Sequence, residues 1–198
     1  TELITDACKL MDDSLDFSAY DANNDGYVDL VYVVYAGYGQ NMGAKNETMW
    51  PKAGTITPFL TKDGKKVYRS GISNELIGNE KSPKQKWISG IGLFCHEFSH
   101  CMGLPDFYPT FADSRGDNQG MEAWSLMDDG EYTANGWCPT AYTAWEREAM
   151  GWMNIEELQD AQQVTLENID EGGKAYRIYA DEEKSTNEYY IIQNIQNK

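Results

Sequence analysis

The sequence predicts a mixed α/β fold of the α+β kind, and three observations carry that expectation. Apolar residues recur at helical spacing over residues 1–15 and again over 88–102. Between them, 28–38 (VDLVYVVYAGY) is β-branched and aromatic almost throughout, the composition of a central strand buried on both faces. From Gln163 the apolar period changes to two, which predicts a β-rich end to the chain. With 198 residues and 41% apolar content, the chain can bury one good core and a small appendage.

Taken in order, Leu3, Ile4, Ala7, Cys8, Leu10, Met11 and Leu15 define the apolar side of a first helix. An Asp-rich stretch follows. Asp21, Asn23, Asp25 and Asp29 place oxygen side chains at positions 1, 3, 5 and 9 of a loop with Gly26 at position 6. That spacing suits calcium, with the Tyr27 carbonyl as a further ligand. The twelfth position is Tyr32 rather than Glu and a strand follows, so this is no EF-hand. A structural calcium site competes here with an ordinary Asn/Asp/Gly turn. Thr48-Met49-Trp50-Pro51 opens an extended stretch in which Pro51 suggests a sheet edge. Lys62-Asp63-Gly64-Lys65 predicts a hairpin turn, and 65–72 its return strand. The basic segment 81–86 predicts a solvated loop.

The most informative stretch is Phe94-Cys95-His96-Glu97-Phe98-Ser99-His100-Cys101-Met102-Gly103-Leu104-Pro105-Asp106. It contains H-E-x-x-H, and the chain's two histidines are both in it. At i and i+4 the two imidazoles stand one above the other on a helix and can meet on one metal ion. Glu97 points to a different side, from which it can take a proton from a metal-bound water. Gly103 can adopt a left-handed conformation, ending the helix and returning Asp106 as a third ligand. Three protein ligands with a fourth position open is the pattern of catalytic zinc. Ile91, Phe94, Cys95, Phe98 and Met102 fall on one face of the helical wheel, within about 60° of Ile91, so that stripe is expected to be buried, with the histidines roughly opposite.

Residues 107–122 lack periodicity and predict a long loop of the kind that is usually functional when ordered. A helix is expected over 140–150, with Glu146-Arg147-Glu148 on its wet face. Strands are expected at 164–166, 175–180 and 189–195, with turns at 171–173 and 182–186.

H-E-x-x-H-x-x-G-x-x-(H or D) followed by a methionine turn is the metzincin signature. With Asp106 in third place and the wording Gly103-Leu104-Pro105-Asp106, the chain resembles the immune inhibitor A-like secreted metallopeptidases. Trp124-Ser125-Leu126-Met127 fits that family's methionine turn, and 139–152 is similar to the helix after it. The resemblance covers roughly residues 16–153 and is densest from His96 to Met127. It implies a metzincin-like, two-lobed zinc endopeptidase domain over 1–155, with an upper lobe at 1–102 and a lower lobe at 103–155. The implied fold has a mixed, twisted sheet, the active-site helix and a β-rich extension over 156–198. Zinc on His96, His100 and Asp106, Glu97 as base, Met127 as an apolar floor and a calcium loop at 21–29 follow from the same likeness. A protein or peptide substrate and a secreted, cell-surface or periplasmic location follow too. Tyr132, five residues after Met127, is a candidate oxyanion donor, with Tyr142 as its rival.

The formal charge of −16 excludes nucleic acid as a partner and disfavours anionic membrane surfaces. No stretch approaches the roughly 20 apolar residues of a membrane helix. The chain opens at Thr1 without a leader and reads as a fragment or mature domain. Four cysteines are too few for a disulfide-built scaffold. Cys95 and Cys101 lie about 9 Å apart along the helix axis, too far to bridge, while Cys8, Cys101 and Cys138 leave one pairing open. Two other readings remain. In a thermolysin-like site Glu122 would be the third ligand. In a calcium-stabilised binding or adhesion module the zinc site would be vestigial, although such a module has no need of Glu97.

Overall fold

Strand β3 (Lys66–Ile77) is the axis of the first sheet. It pairs in parallel with β1 (Val31–Tyr38) on one side, and antiparallel with β2 (Lys52–Leu60) and then β4 (Trp87–Ile88) on the other. The computed structural model describes residues 1–81, 87–114, 120–181 and 187–196. Most of the basic segment and the 182–186 turn lie outside them. The fold is mixed α/β, with two sheets and few helices. The chain divides into two compact units, one of Thr1–Gly103 with Tyr132–Cys138, the other of Leu104–Glu131 with Pro139–Lys198.

In the first unit α1 (Glu2–Met11) puts Ile4 and Cys8 into a core with Phe17, Val28, Tyr35, Ile56, Val67 and Ile72. Val67 is wholly buried, worth roughly 1.5–3 kcal/mol. Helix α1 stops short of the expected 15 residues, and the chain turns as the Ser14 and Leu15 amides return to the Met11 carbonyl. Among the described residues β1 is an edge strand, with Val34 58% exposed, rather than the buried central strand expected of its composition. The centre goes to β3, whose buried Ser70, Ser73 and Asn74 carry no apolar signal. Gly71 belongs there because a Cβ would sit 2.4 Å from the Tyr32 ring. Pro58 falls where the β2 register slips between Thr55 and Phe59, a place on an edge strand that tolerates a missing N–H. The turn before β3 forms as expected, with Gly64 at φ +84° and the Thr61 amide bonded to the Lys65 carbonyl at 2.9 Å.

The calcium expectation finds no support. Asp21 is turned inward, its Oδ2 2.7 Å from Lys65 Nζ, and the Asp25 and Gly26 amides each donate to it at 3.0 Å. Asn23 donates to Asp25 at 3.0 Å, and Asp29 accepts the Ala22 amide at 3.2 Å. Tyr27 forms a parallel bridge with Lys66, through the Val28 amide and the Gly26 carbonyl. Among the described residues the acids of this loop do not gather as a metal-binding group. An ammonium supplied by a residue distant in sequence holds the charge, and loop spacing alone could not reveal it.

Lys65, by hydrogen bond and charge, with the Gly26 and Asp25 amides, holds the Asp21 carboxyl below the usual range against the opposing effect of burial. A carboxyl depressed on folding contributes stability above its unfolded pKa, and that stability is lost as pH falls through the folded value. Lys65→Met is therefore expected to lower the melting temperature at neutral pH by roughly a few degrees. It should also weaken the pH dependence of stability below about pH 4. Melting curves that overlay wild type across this range would refute the role given to Lys65.

In the second unit α3 (Ala144–Ala149) shares a core with the C-terminal sheet. Ala144, Ile155, Ile169 and Ala175 are buried together, with Met153, Ile191 and Ile195 against them. That sheet runs β5 (Glu156–Glu157), β6 (Tyr176–Tyr179), β7 (Tyr189–Ile192). Ile169, Ala175, Ile191 and Ile195 of the chain's end thus pack with Ala144 of α3. The segment 164–166 forms no strand.

Candidate metal centre and active site

Helix α2 (Gly92–Cys101) carries the two histidines one turn apart. It is shorter than the expected 88–102, because Trp87 and Ile88 pair with β3 as strand β4. Its buried positions are Gly92, Leu93, His96, Glu97 and Ser99. The apolar stripe lies the other way, with Ile91 58% and Phe94 and Met102 each 38% exposed. Phe94 stacks on Phe98 and meets the Tyr32 ring edge-on at 4.6 Å, which shelters the stripe only in part. The helix gives its interior to the polar face because that face is organised. Ser99, wholly buried, donates to the Cys95 carbonyl at 2.6 Å.

The His96 and His100 Nε2 atoms lie 3.1 Å apart, with the rings at 89° to each other. Two nitrogens each 2.0–2.1 Å from a tetrahedral ion would be about 3.3 Å apart. Gly103, at φ +104°, ends the helix in the left-handed region, its amide bonded to the His100 carbonyl at 3.0 Å. Asp106 follows three residues later. Ligand atoms of His96, His100 and Asp106 all lie within 4.8 Å of one another. Two imidazoles and one carboxylate suit a borderline ion such as zinc, so the residues present fit the metal. Glu122, the third ligand of the thermolysin-like alternative, is not in that group among the described residues. It sits at φ +49° with its amide bonded to Asp128 Oδ2 at 2.6 Å.

Glu97 is 6% exposed. The Tyr35 hydroxyl is pushed up to about 12, by burial first and then by the Glu97 charge, and it donates to the Met49 carbonyl at 2.7 Å. Burial, and to a lesser degree the same carboxylate, also raise Tyr32 and Cys101. Glu97 is therefore an enclosed acid whose field reaches neighbouring side chains, the setting in which general bases are found.

Residues 11–154 match the family described as "Immune inhibitor A peptidase M6, catalytic domain". The chain belongs to that family. Among relatives, immune inhibitor A of Bacillus thuringiensis subsp. alesti is 28% identical over 185 residues, covering 79% of this chain and 26% of that protein. The pre-pro-metalloprotease PrtV of Vibrio cholerae serotype O1 is 25% identical over 145 residues, covering 68% of this chain and 16% of that protein. This chain thus spans well under a third of the length of either relative.

Within this M6 domain, Met127 is wholly buried, next to a buried Leu126. Tyr132 ends the first of two short 3-10 turns merged over Asp129–Gly136, just before the break where Ala134 and Asn135 take φ +51° and +57°. Asn41 Nδ2 donates to the Tyr132 hydroxyl oxygen at 3.2 Å. Tyr142, the rival, packs edge-on against Trp152, and its carbonyl accepts from Arg147 Nε at 2.9 Å. All four cysteines are free thiols.

Sequence reasoning missed Asn41, Ser125 and Glu146. Nothing in the sequence marks Asn41. Glu146 did have a signal, because Thr143-x-x-Glu146 is a capping box. The structure forms that box, and Glu146 is fully buried rather than on a wet face.

Proposed function

We propose that this domain is a zinc-dependent endopeptidase acting on protein substrates, by way of His96, His100, Asp106 and Glu97. The observation that carries this reading is the gathering of two imidazoles and a carboxylate beside a buried glutamate. A zinc ion held by the three ligands would polarise the scissile carbonyl and make water a nucleophile near neutral pH. Glu97 takes the proton of the attacking water and returns it to the leaving amine. Tyr132 is proposed to donate its hydroxyl to the developing oxyanion, its oxygen held by Asn41, and Met127 to lie beneath the ligands. By likeness to the M6 family we place the domain outside the cytoplasm, in a two-lobed, metzincin-like arrangement. Among the described residues no helix is long and apolar enough to cross a membrane.

Metal analysis of the purified chain should return about one zinc, and cleavage of an unfolded protein should cease with chelator and resume with added zinc. A chain that binds no zinc, or one that cuts equally well after chelation, would overturn the proposal. A second expectation concerns the phenol. Tyr132→Phe should lower kcat by on the order of 100-fold with zinc content unchanged, and Asn41→Ala should lower it less, in the same direction. Unaltered kcat in Tyr132→Phe would transfer the oxyanion role elsewhere.

A further inference from the structure

Glu146 takes no part in the chemistry above, yet its side chain is among the largest wholly buried ones of the described residues. One carboxylate oxygen, Oε2, accepts the Thr143 amide, and Thr143 Oγ1 accepts the Glu146 amide at 3.3 Å, closing the capping box of α3. Such boxes form well at exposed helix starts, so capping alone does not call for a buried carboxylate, and burial of a charge is unfavourable unless its hydrogen bonds are complete. The other oxygen supplies the reason. Ser125 Oγ lies 2.9 Å from Glu146 Oε1, and the Met127 amide donates to that same Oγ at 3.0 Å. Because an amide only donates, Ser125 accepts from Met127 and sends its own proton to the carboxylate, a charge-assisted bond.

The chain of contacts continues. The Met127 carbonyl accepts the amide of Phe107 at 2.8 Å, and the Phe107 carbonyl accepts the Met121 amide at 3.1 Å. Both polar groups of the Phe107 backbone are thereby fixed, and Phe107 is the residue directly after Asp106. Ser125 and Met127 are wholly buried, so water does not compete for these bonds.

We propose that Glu146 is a positioning residue for the metal centre, acting through Ser125, Met127 and Phe107 on the backbone that carries Asp106. This inference rests on the zinc-peptidase reading and adds to it an outer support for the carboxylate ligand. It also gives the methionine turn a second duty, as a hydrogen-bonded strut between α3 and the third ligand. Outer contacts of this kind orient ligands and tune how tightly a metal is held.

The test is zinc affinity, measured by competition with a chelator, in wild type, Ser125→Ala, Glu146→Gln and Ile169→Val. Ser125→Ala cuts the strut and leaves the capping box. Glu146→Gln keeps the side-chain volume but replaces one acceptor oxygen with an NH₂ group. Both should weaken zinc binding about 10–100-fold. In the cobalt-substituted protein both should shift the visible d–d bands, and in the zinc enzyme both should lower kcat more than they raise KM. Ile169→Val, which thins the core around Ile169, should lower the melting temperature and leave zinc affinity alone. Should Ser125→Ala fail to fold, Glu146→Gln decides. Wild-type affinity in the folded strut variants, or an affinity loss in Ile169→Val that tracks its melting temperature, overturns the proposal. If wild type binds one zinc that His100→Ala loses while Ser125→Ala holds it normally, only the strut is wrong. A wild type without zinc sinks the zinc-peptidase reading and the strut together.

Discussion

Glu97→Gln should retain its zinc and lose peptide cleavage by a factor of about 10²–10⁴, the range over which a positioned general base contributes. Glutamine matches the glutamate in size, so the buried position between His96 and Phe98 stays filled and helix α2 keeps its packing. What disappears is the group able to accept a proton from the attacking water. Glu97 is not among the three gathered ligands, and the expected signature is a dead enzyme with a full metal complement. A variant that loses zinc would make Glu97 a ligand or an essential support of one. A variant that still cuts at near wild-type rate would hand the base role to another residue and would favour a binding module.

His96→Ala and His100→Ala should each lose zinc far more completely than the roughly 10–100-fold expected when an outer hydrogen bond is removed. Each leaves one imidazole and one carboxylate, too few to hold a catalytic ion firmly. The 3.1 Å approach of the two Nε2 atoms makes the pair interdependent, since either nitrogen alone points into a half-built site. Titration with zinc, followed by metal analysis after gel filtration, separates the outcomes. Stoichiometric zinc in either variant would mean that the ion sits elsewhere.

The His96, His100 and Asp106 group was legible because its parts lie within eleven consecutive residues, with a helix and a glycine stop between the first and the last. Local spacing determines local geometry. It failed wherever a distant partner decided the outcome. The spacing around Asp21 could not show that Lys65 pairs with it. The 28–38 run looked central until the more polar β3 took its place, because small residues let Tyr32 lie over Gly71. The stripe from Ile91 to Met102 looked like the inward face, because hydrophobicity cannot show that His96, Glu97 and Ser99 have partners of their own. Glu146 could have been found, but its capping partner went unread beside Arg147 and Glu148.

The Asp21–Lys65 pair also bears on how such an enzyme survives without its metal. Where a dissolved ion neutralises a buried acid, a scavenger of that ion removes activity and architecture together. Here the neutralising charge is tethered to the chain and no chelator can extract it. Stripping zinc should therefore leave the first unit's core standing, a dormant protein that recovers by taking up one ion and needs no refolding.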